Sequence, residues 1–424
     1  MRSSSSTLKA GLWLVLISWA VTLLFWTGLP AHLQGNESDD YHNYYQPAAL
    51  RLLSGQGLTT PDGLPLLRYP PGYPVLLAAL FFAAQALHIP ADLAIQLFIL
   101  LCVGLIVLLL FLLASDVFGR TAGFFAGLVW IAYPIFLWLT KQPNSELPFL
   151  VLFLGGILSF WKAYRTTSRK YLYWLFTGVL IGSSVLVRPA GLGVIAVLLV
   201  ACLVSQRLNL QQKAFACLAL TISFSAVLLP WELWAYAQTG QVIPVSTGAA
   251  PGIWDGLTFG IAGADEQFRD RLPAASRQFM EDLQEKARLY GNVGEIQDIW
   301  NIFIQQARSQ PLAALQFTLL KAARSWFATD SGRFESLNLA VQVFFLAGVI
   351  WGALSAWQSG NLQREFILLI IGISFYFWLM AILSLSILRY TVPAMALLIT
   401  LIPAGIFRLN LSLSMIDRFF SRFR

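Results

Sequence analysis

Two adjacent aspartates, Asp39 and Asp40, have the residue type and position to support catalysis. They follow an apolar run, 11–29, that is long enough to cross a bilayer. A carboxylate at a membrane surface can act as a general base on an acceptor hydroxyl, or bind a divalent cation such as Mg²⁺ or Mn²⁺ that neutralises a departing phosphate. The alternative is a hydrophilic loop whose acids only meet water, and the pair alone does not separate these readings.

A second acid, Glu146, opens a later apolar run and is a candidate second carboxylate or, with Asp40, a candidate metal ligand. Lys141 lies in the same short connection. The alternative for Glu146 is a favourable charge at a helix N-terminus, worth roughly 0.3–1 kcal/mol.

Three arginines stand near apolar boundaries, where a guanidinium can hold a phosphate through two parallel hydrogen bonds. They are Arg68, Arg188 and Arg389. Their alternative role is snorkelling to the membrane interface. Four tyrosines, Tyr44, Tyr45, Tyr69 and Tyr73, are candidates for lining a sugar or isoprenoid groove, although aromatic residues are common at interfaces.

The composition requires a membrane protein. Of 424 residues, 57% are hydrophobic and 12% charged, and the apolar residues come in runs of about 17 to 23. The net charge of +7 comes mainly from short loops, which excludes a nucleic-acid-binding face. Three cysteines inside apolar runs and three scattered histidines give no metal-binding spacing.

About ten spanning helices are predicted, with a range of nine to twelve. Their approximate bounds are 11–29, 91–113, 121–139, 147–163, 171–187, 190–206, 214–235, 337–357, 366–387 and 392–407. The segment 73–88 is the doubtful element, because its helix would rise only about 24 Å against a roughly 30 Å hydrocarbon core. No small-residue cleavage site follows 11–29, so the first helix is expected to be retained.

The positive-inside rule gives the orientation. If 73–88 does not cross, the basic loop 162–170 and the basic tail 418–424 both face the cytoplasm, while most acidic residues face outward. The chain is then one membrane domain, 1–424, with two long outer segments. Segment 30–90 contains the proposed active site, and segment 236–335 contains surface helices, including an amphipathic or interfacial stretch at 312–327.

Pro47 predicts the local structure around the aspartates. Proline favours the start of a helix and disfavours helical geometry in the residue before it. A short helix, 48–54, is therefore expected to end at Gly55, with Asp40 before it in irregular chain.

Several short motifs resemble one enzyme family. Asp40, Tyr44, Ala48 and Ser54-Gly55, followed by RYPPGYP (68–74), resemble the first loop of polytopic C-type (GT-C) glycosyltransferases. These include dolichyl-phosphate-mannose protein mannosyltransferase-like and aminoarabinose-transferase-like enzymes. Further similar motifs are SELPFLVLF (145–153), VRPAGL (187–192), PWELWAYAQTGQVIPVSTG (230–248) and RYTVP (389–393).

The resemblance implies an all-α GT-C bundle with an outer-face active site and a polyprenyl-phosphate sugar donor. It implies Asp40 as the catalytic carboxylate, with Asp39 as the second choice. Tyr41 stands where many relatives carry a second acid, and Tyr69 where some carry a lysine, so the resemblance leaves metal use and donor contacts open.

The function expected from these features is transfer of a hexosyl or pentosyl group from a lipid-phosphate donor to a glycan, lipid or protein acceptor. The expected location is a bacterial inner membrane, with the site facing the periplasm. The alternative is a transporter or flippase of lipid-linked sugars, which would share the spans and boundary arginines. Coupled transporters generally place ionisable groups near the midplane, and the proposed spans contain almost none.

Overall fold

The computed structural model describes residues 2–33, 35, 38–166, 170–258, 272–290, 295–329 and 332–408, and side chains are described for all of these except 2–6, 170, 290, 407 and 408. The predicted basic tail 418–424 and part of the loop 162–170 lie outside these residues. Across the described residues the chain is α-helical and contains no β-strand, so the expected fold class is confirmed.

The α-helices of the described residues are α1 (Arg2–Gly28), α2 (Gln46–Leu53), α3 (Gly72–Leu87), α4 (Ala91–Phe118), α5 (Arg120–Ile131), α6 (Pro134–Leu139), α7 (Glu146–Arg165), α8 (Lys170–Val187), α9 (Val194–Val204), α10 (Leu210–Thr239), α11 (Ala249–Thr258), α12 (Ala274–Tyr290), α13 (Ile296–Ser309), α14 (Pro311–Arg324), α15 (Glu335–Trp357), α16 (Asn361–Leu383), α17 (Val392–Ile399) and α18 (Ile402–Arg408).

Six helical segments are long and apolar enough to cross a membrane, and they lie in α1, α4, α7, α10, α15 and α16. Shorter apolar helices include Gly72–Leu87, Arg120–Ile131, Tyr171–Val187, Pro189–Val204 and Val392–Ile406. The chain is therefore a multi-pass membrane protein, and a count of about ten spans stays a prediction.

Two expected spans are interrupted. The run 121–139 is divided between α5 and α6, because Pro134 forces the preceding Tyr133 into extended geometry, with φ −79° and ψ 108°. The run 392–407 is divided between α17 and α18, and Pro403 occupies the first turn of α18. Apolar composition alone did not reveal these breaks.

Local signals set the ends of the long helices. α4 begins after Pro90 and ends at Gly119, whose φ of 89° favours glycine. α10 begins at a capping box, in which the side chains of Asn209 and Gln212 each bond the other residue's backbone, and it ends at Gly240.

The described chain forms two compact units. The first comprises Met1–Val245, Gly348–Ile371 and Ala396–Arg424, and the second comprises Ser246–Ala347 and Gly372–Met395. In the first unit, α4 packs against α1, α5 and α7, and α8 packs against both α7 and α10.

The second unit contains a hydrophobic core of its own. Helices α11 to α14 contact one another and bury Leu257, Phe279, Leu283, Ile299 and Phe317. These helices are amphipathic and occupy much of the segment expected to lie outside the membrane.

Candidate active site

Asp40 stands at the start of a wide helical turn in the first unit. Its φ of −60° and ψ of −37° are helical, and the turn Tyr41–Tyr45 continues directly into α2. The prediction that Asp40 lies in irregular chain is therefore wrong. The Gln46 amide donates to the Tyr41 carbonyl five residues earlier. This wider turn accommodates the ring of Pro47, which clashes with the carbonyl four residues back in a regular helix. Asp40 is half-buried and Asp39 is exposed.

The tyrosine after Arg68 holds the Asp40 carboxylate. The Tyr69 hydroxyl donates to Asp40 Oδ1 at 2.8 Å. The Tyr69 ring centroid lies 5.2 Å from that of Tyr44, and the Arg68 guanidinium lies 5.0 Å from the Tyr44 centroid. Burial raises the pKa of Tyr69, and the negative charge of Asp40 raises it further. Tyr69 therefore stays protonated and remains a hydrogen-bond donor.

Gly72 explains how this segment approaches the next part of the site. A Cβ on Gly72 would lie 2.5 Å from the carbonyl oxygen of Leu186 and 2.8 Å from the amide nitrogen of Val187. These two residues end α8, directly before Arg188. Only glycine permits so close a contact between the two backbones, and the contact brings the segment after Tyr69 beside Arg188.

Glu146 and Arg188 form a buried ion pair. Arg188 Nη1 lies 2.8 Å from Glu146 Oε1, and the two side chains are 15% and 10% exposed. The same nitrogen donates to Ser145 Oγ at 3.1 Å. Glu146 is held at the first turn of α7, where the Asn144 side chain accepts a hydrogen bond from the Leu147 amide at 3.2 Å.

Tyr45 connects the ion pair to the aspartate. It is buried, and its ring centroid lies 5.0 Å from that of Tyr69. Burial raises the pKa of Tyr45; the positive charge of Arg188 opposes this rise, the negative charge of Asp40 adds to it, and interaction with the Ser145 hydroxyl opposes it. Asp40, Glu146 and Arg188 therefore belong to one continuous cluster.

From the sequence, Tyr45 and Tyr73 were candidates only for lining a groove. The structure places the Tyr73 ring centroid 4.8 Å from that of Tyr45. Ser145 was not a candidate, although it opens the motif 145–153 and directly precedes Glu146.

Two further predicted binding residues, Lys141 and Arg389, each contact an aromatic ring. The Lys141 ammonium stands 5.3 Å from the centroid of Trp138. Arg389 belongs to the second unit, where its guanidinium lies 5.7 Å from the Tyr390 centroid. Its short helical turn, Leu388–Tyr390, is fixed by a 2.8 Å hydrogen bond from the Leu388 amide to the Ala328 carbonyl.

The predicted metal pair, Asp40 and Glu146, does not fit a divalent cation well. The Glu146 carboxylate is already neutralised by Arg188, whose positive charge would oppose a cation there. Among the described residues, no group of three or more His, Cys, Asp or Glu side chains has a metal-binding arrangement.

The cluster and a basic face occupy opposite ends of the first unit. α7 begins at Glu146 and ends at Arg165, and its twenty residues rise about 30 Å. At its far end Arg165 Nη1 lies 2.8 Å from Asp116 Oδ2, and Lys162 Nζ lies 3.7 Å from Asp116 Oδ1. The cluster therefore lies about one bilayer thickness from Lys162 and Arg165.

A family model and several solved structures match this chain. The model of the dolichyl-phosphate-mannose-protein mannosyltransferase family matches residues 70–234. Archaeal oligosaccharyltransferase AglB from Archaeoglobus fulgidus, in complex with an inhibitory peptide and a dolichol-phosphate, matches at 14% identity and a TM-score of 0.55, over 96% of this chain and 52% of that one. The apo form of the Archaeoglobus fulgidus enzyme matches at 12% identity and a TM-score of 0.56, over the same shares.

ArnT from Cupriavidus metallidurans, bound to undecaprenyl phosphate, matches at 14% identity and a TM-score of 0.45, over 92% of this chain and 76% of that one. No curated protein sequence matches significantly. The family match confirms the predicted resemblance, and the similarity to the oligosaccharyltransferase shows a shared fold. This chain spans about half the length of that enzyme.

Proposed function

We propose that this protein is a glycosyltransferase that moves a sugar from a polyprenyl-phosphate donor to an acceptor at the extracytoplasmic face of the membrane. The observation that carries this proposal is the hydrogen bond from Tyr69 to Asp40, beside a buried arginine–glutamate pair. An oriented carboxylate next to guanidinium groups suits proton removal from a hydroxyl and stabilisation of a phosphate leaving group. The family match over 70–234, which includes Glu146 and Arg188, supports the same reaction class.

Asp40 acts as the general base in this reaction. The Tyr69 hydroxyl binds Oδ1, so Oδ2 is directed to the acceptor hydroxyl and accepts its proton. The acceptor oxygen then bonds to the anomeric carbon while the bond from that carbon to the phosphate oxygen breaks. Polyprenyl phosphate leaves with the bonding electrons, and the single displacement inverts the anomeric configuration.

Arg68 is the stronger candidate for the donor phosphate. Its guanidinium is exposed and stacks on Tyr44, whereas Glu146 already offsets the charge of Arg188. Arg188 is proposed as the second contact for the donor phosphate, because a guanidinium carries five N–H donors. Arg389 and Lys141 are proposed as further donor contacts, and Asp39 as the fallback base.

The partners proposed are the lipid donor, the surrounding lipid and an acceptor glycan, lipid or protein, and the sugar is proposed to be a hexosyl or pentosyl group. The oligosaccharyltransferase of shared fold binds a dolichol-phosphate, which is a lipid carrier of the kind proposed here. The basic end of α7 supports a cytoplasmic orientation for Arg165 and a periplasmic one for Asp40, in a bacterial inner membrane.

Sugar transfer in proteoliposomes tests the proposal. A panel of radiolabelled polyprenyl-phosphate sugars is offered to the wild type, to Asp40→Asn and to the matched neighbour variant Asp39→Asn. We expect Asp40→Asn to reduce transfer by about 10²- to 10⁴-fold, the range typical of a lost general base, and Asp39→Asn to retain most activity. Equal activity of wild type and Asp40→Asn, with both equally folded, would reject Asp40 as the base.

A further inference from the structure

Helix α14 buries one face in the second unit and exposes another. Ala314, Phe317, Lys321 and Arg324 are buried at spacings of three and four residues. Leu312, Leu315 and Leu319 have the same spacing and are 81%, 56% and 60% exposed. Residues three and four apart share one side of a helix, so these leucines form a single exposed strip, called the leucine strip below.

Two consecutive residues of α14 are bonded to the last turns of α16, a helix apolar enough to span the membrane. Lys321 Nζ donates to the carbonyl of Ser384, which follows the end of α16, at 2.8 Å. The Trp378 indole donates to the Ala322 carbonyl at 2.9 Å. Trp378 precedes the end of α16 by about 8 Å of helical rise, so the C-terminal half of α14 lies at the depth of the membrane boundary.

The surface around this attachment is apolar and aromatic. Trp378 lies 6.4 Å from Trp326 and 6.3 Å from Phe375, measured between ring centroids. Phe375 and Leu379 on the same half of α16 are 57% and 41% exposed, as expected for a lipid-facing side. Tryptophan is enriched where hydrocarbon meets headgroups. Trp378 thus joins α14 to the lipid-facing surface of α16.

We propose that α14 is an in-plane membrane anchor whose leucine strip inserts among the acyl chains of the outer leaflet. The bonds to Ser384 and Trp378 fix the helix at the boundary, and leucines exposed there reach hydrocarbon rather than water. The occupant is lipid because Trp378 attaches α14 to a spanning helix that already exposes the apolar side chains Phe375 and Leu379. This inference does not depend on the proposed sugar transfer.

Spin labelling in lipid nanodiscs tests the anchor. Leu315→Cys and Leu319→Cys are labelled separately with a nitroxide in a Cys217→Ala background, because Cys102 and Cys202 are buried. Gln305→Cys, at an exposed polar position of α13, is the matched control. Collision rates are measured with oxygen, which concentrates in hydrocarbon, and with a water-soluble nickel chelate.

We expect the oxygen-to-nickel collision ratio to be several-fold higher at 315 and 319 than at 305. A ratio at both strip positions equal to that at 305 would place the strip in water and overturn the proposal. Protection from both reagents would also overturn it, because the strip would then be covered by protein, such as a second copy of the chain.

Discussion

Replacing Tyr69 by phenylalanine removes one hydroxyl and keeps the ring. The lost interaction is the 2.8 Å hydrogen bond to Asp40 Oδ1, while the ring contacts with Tyr44 and Tyr45 persist. Hydrogen bonds to charged groups contribute about 1.5–3 kcal/mol. Asp40 is half-exposed, and solvent screening therefore favours the lower limit, about 1.5 kcal/mol, which corresponds to a roughly tenfold change in rate.

We therefore expect Tyr69→Phe to lower kcat/KM for the acceptor about tenfold, with the loss mainly in kcat because the base is less well oriented. Initial rates of sugar transfer at varied acceptor concentration measure this split. Tyr164→Phe is the matched control, since it also removes one hydroxyl from a 2.8 Å hydrogen bond, to Ser205, near the far end of α7. It should leave transfer nearly unchanged.

Unchanged kcat/KM in Tyr69→Phe would refute the inference that Tyr69 orients a catalytic Asp40. An equal loss in Tyr69→Phe and Tyr164→Phe would also refute it, because the effect would then reflect general destabilisation.

Three further predictions concern buried groups. Glu146→Gln should lower the free energy of unfolding by about 3 kcal/mol in thermal denaturation, because Arg188 keeps a buried charge without its partner. Glu365→Gln breaks a more exposed pair with Arg207 and should lower it by less than about 1 kcal/mol. Equal losses in the two variants would contradict a stabilising role for the buried pair. Gly72→Ala should abolish most transfer, because its Cβ would meet the Leu186 carbonyl at 2.5 Å, whereas Gly252→Ala, with open space at its Cβ, should not. Burial lowers the pKa of Lys321 from 10.5 to about 7, so between these pH values the unfolded chain holds a proton that the folded chain has released. The free energy of unfolding should therefore rise with pH across this window in the wild type and rise less in Lys321→Met. The same pH dependence in both proteins would contradict the lowered pKa of Lys321.

Site residues that are close together in the chain could be grouped from the sequence alone. Asp40, Arg68 and Tyr69 share the segment 30–90, and their association required only that this segment fold back. The pair between Glu146 and Arg188 joins residues distant in sequence, and a single sequence carries no signal for their pairing. The roles of Tyr45 and Ser145 in joining Asp40 to this pair were not predicted for the same reason, because they follow from contacts across helices.

The long helices could be predicted from the sequence, but the local backbone geometry at prolines could not. Apolar runs predicted the long helices α4, α7 and α16, since burial in lipid requires only length and composition. Pro134 divided one expected span. The wide turn Tyr41–Tyr45 accommodates Pro47, so Asp40 is helical and not in irregular chain as predicted. In both places backbone geometry at proline outweighed the pattern of hydrophobicity.

The most direct test of the central claim is to follow a donor labelled at the anomeric carbon through one reaction in proteoliposomes and to determine which molecule carries the sugar and in which configuration. We expect labelled acceptor of inverted configuration, with one polyprenyl phosphate released for each sugar transferred. Intact donor that has only moved between leaflets would contradict it and identify a flippase, and a product of retained configuration would contradict the single displacement at Asp40.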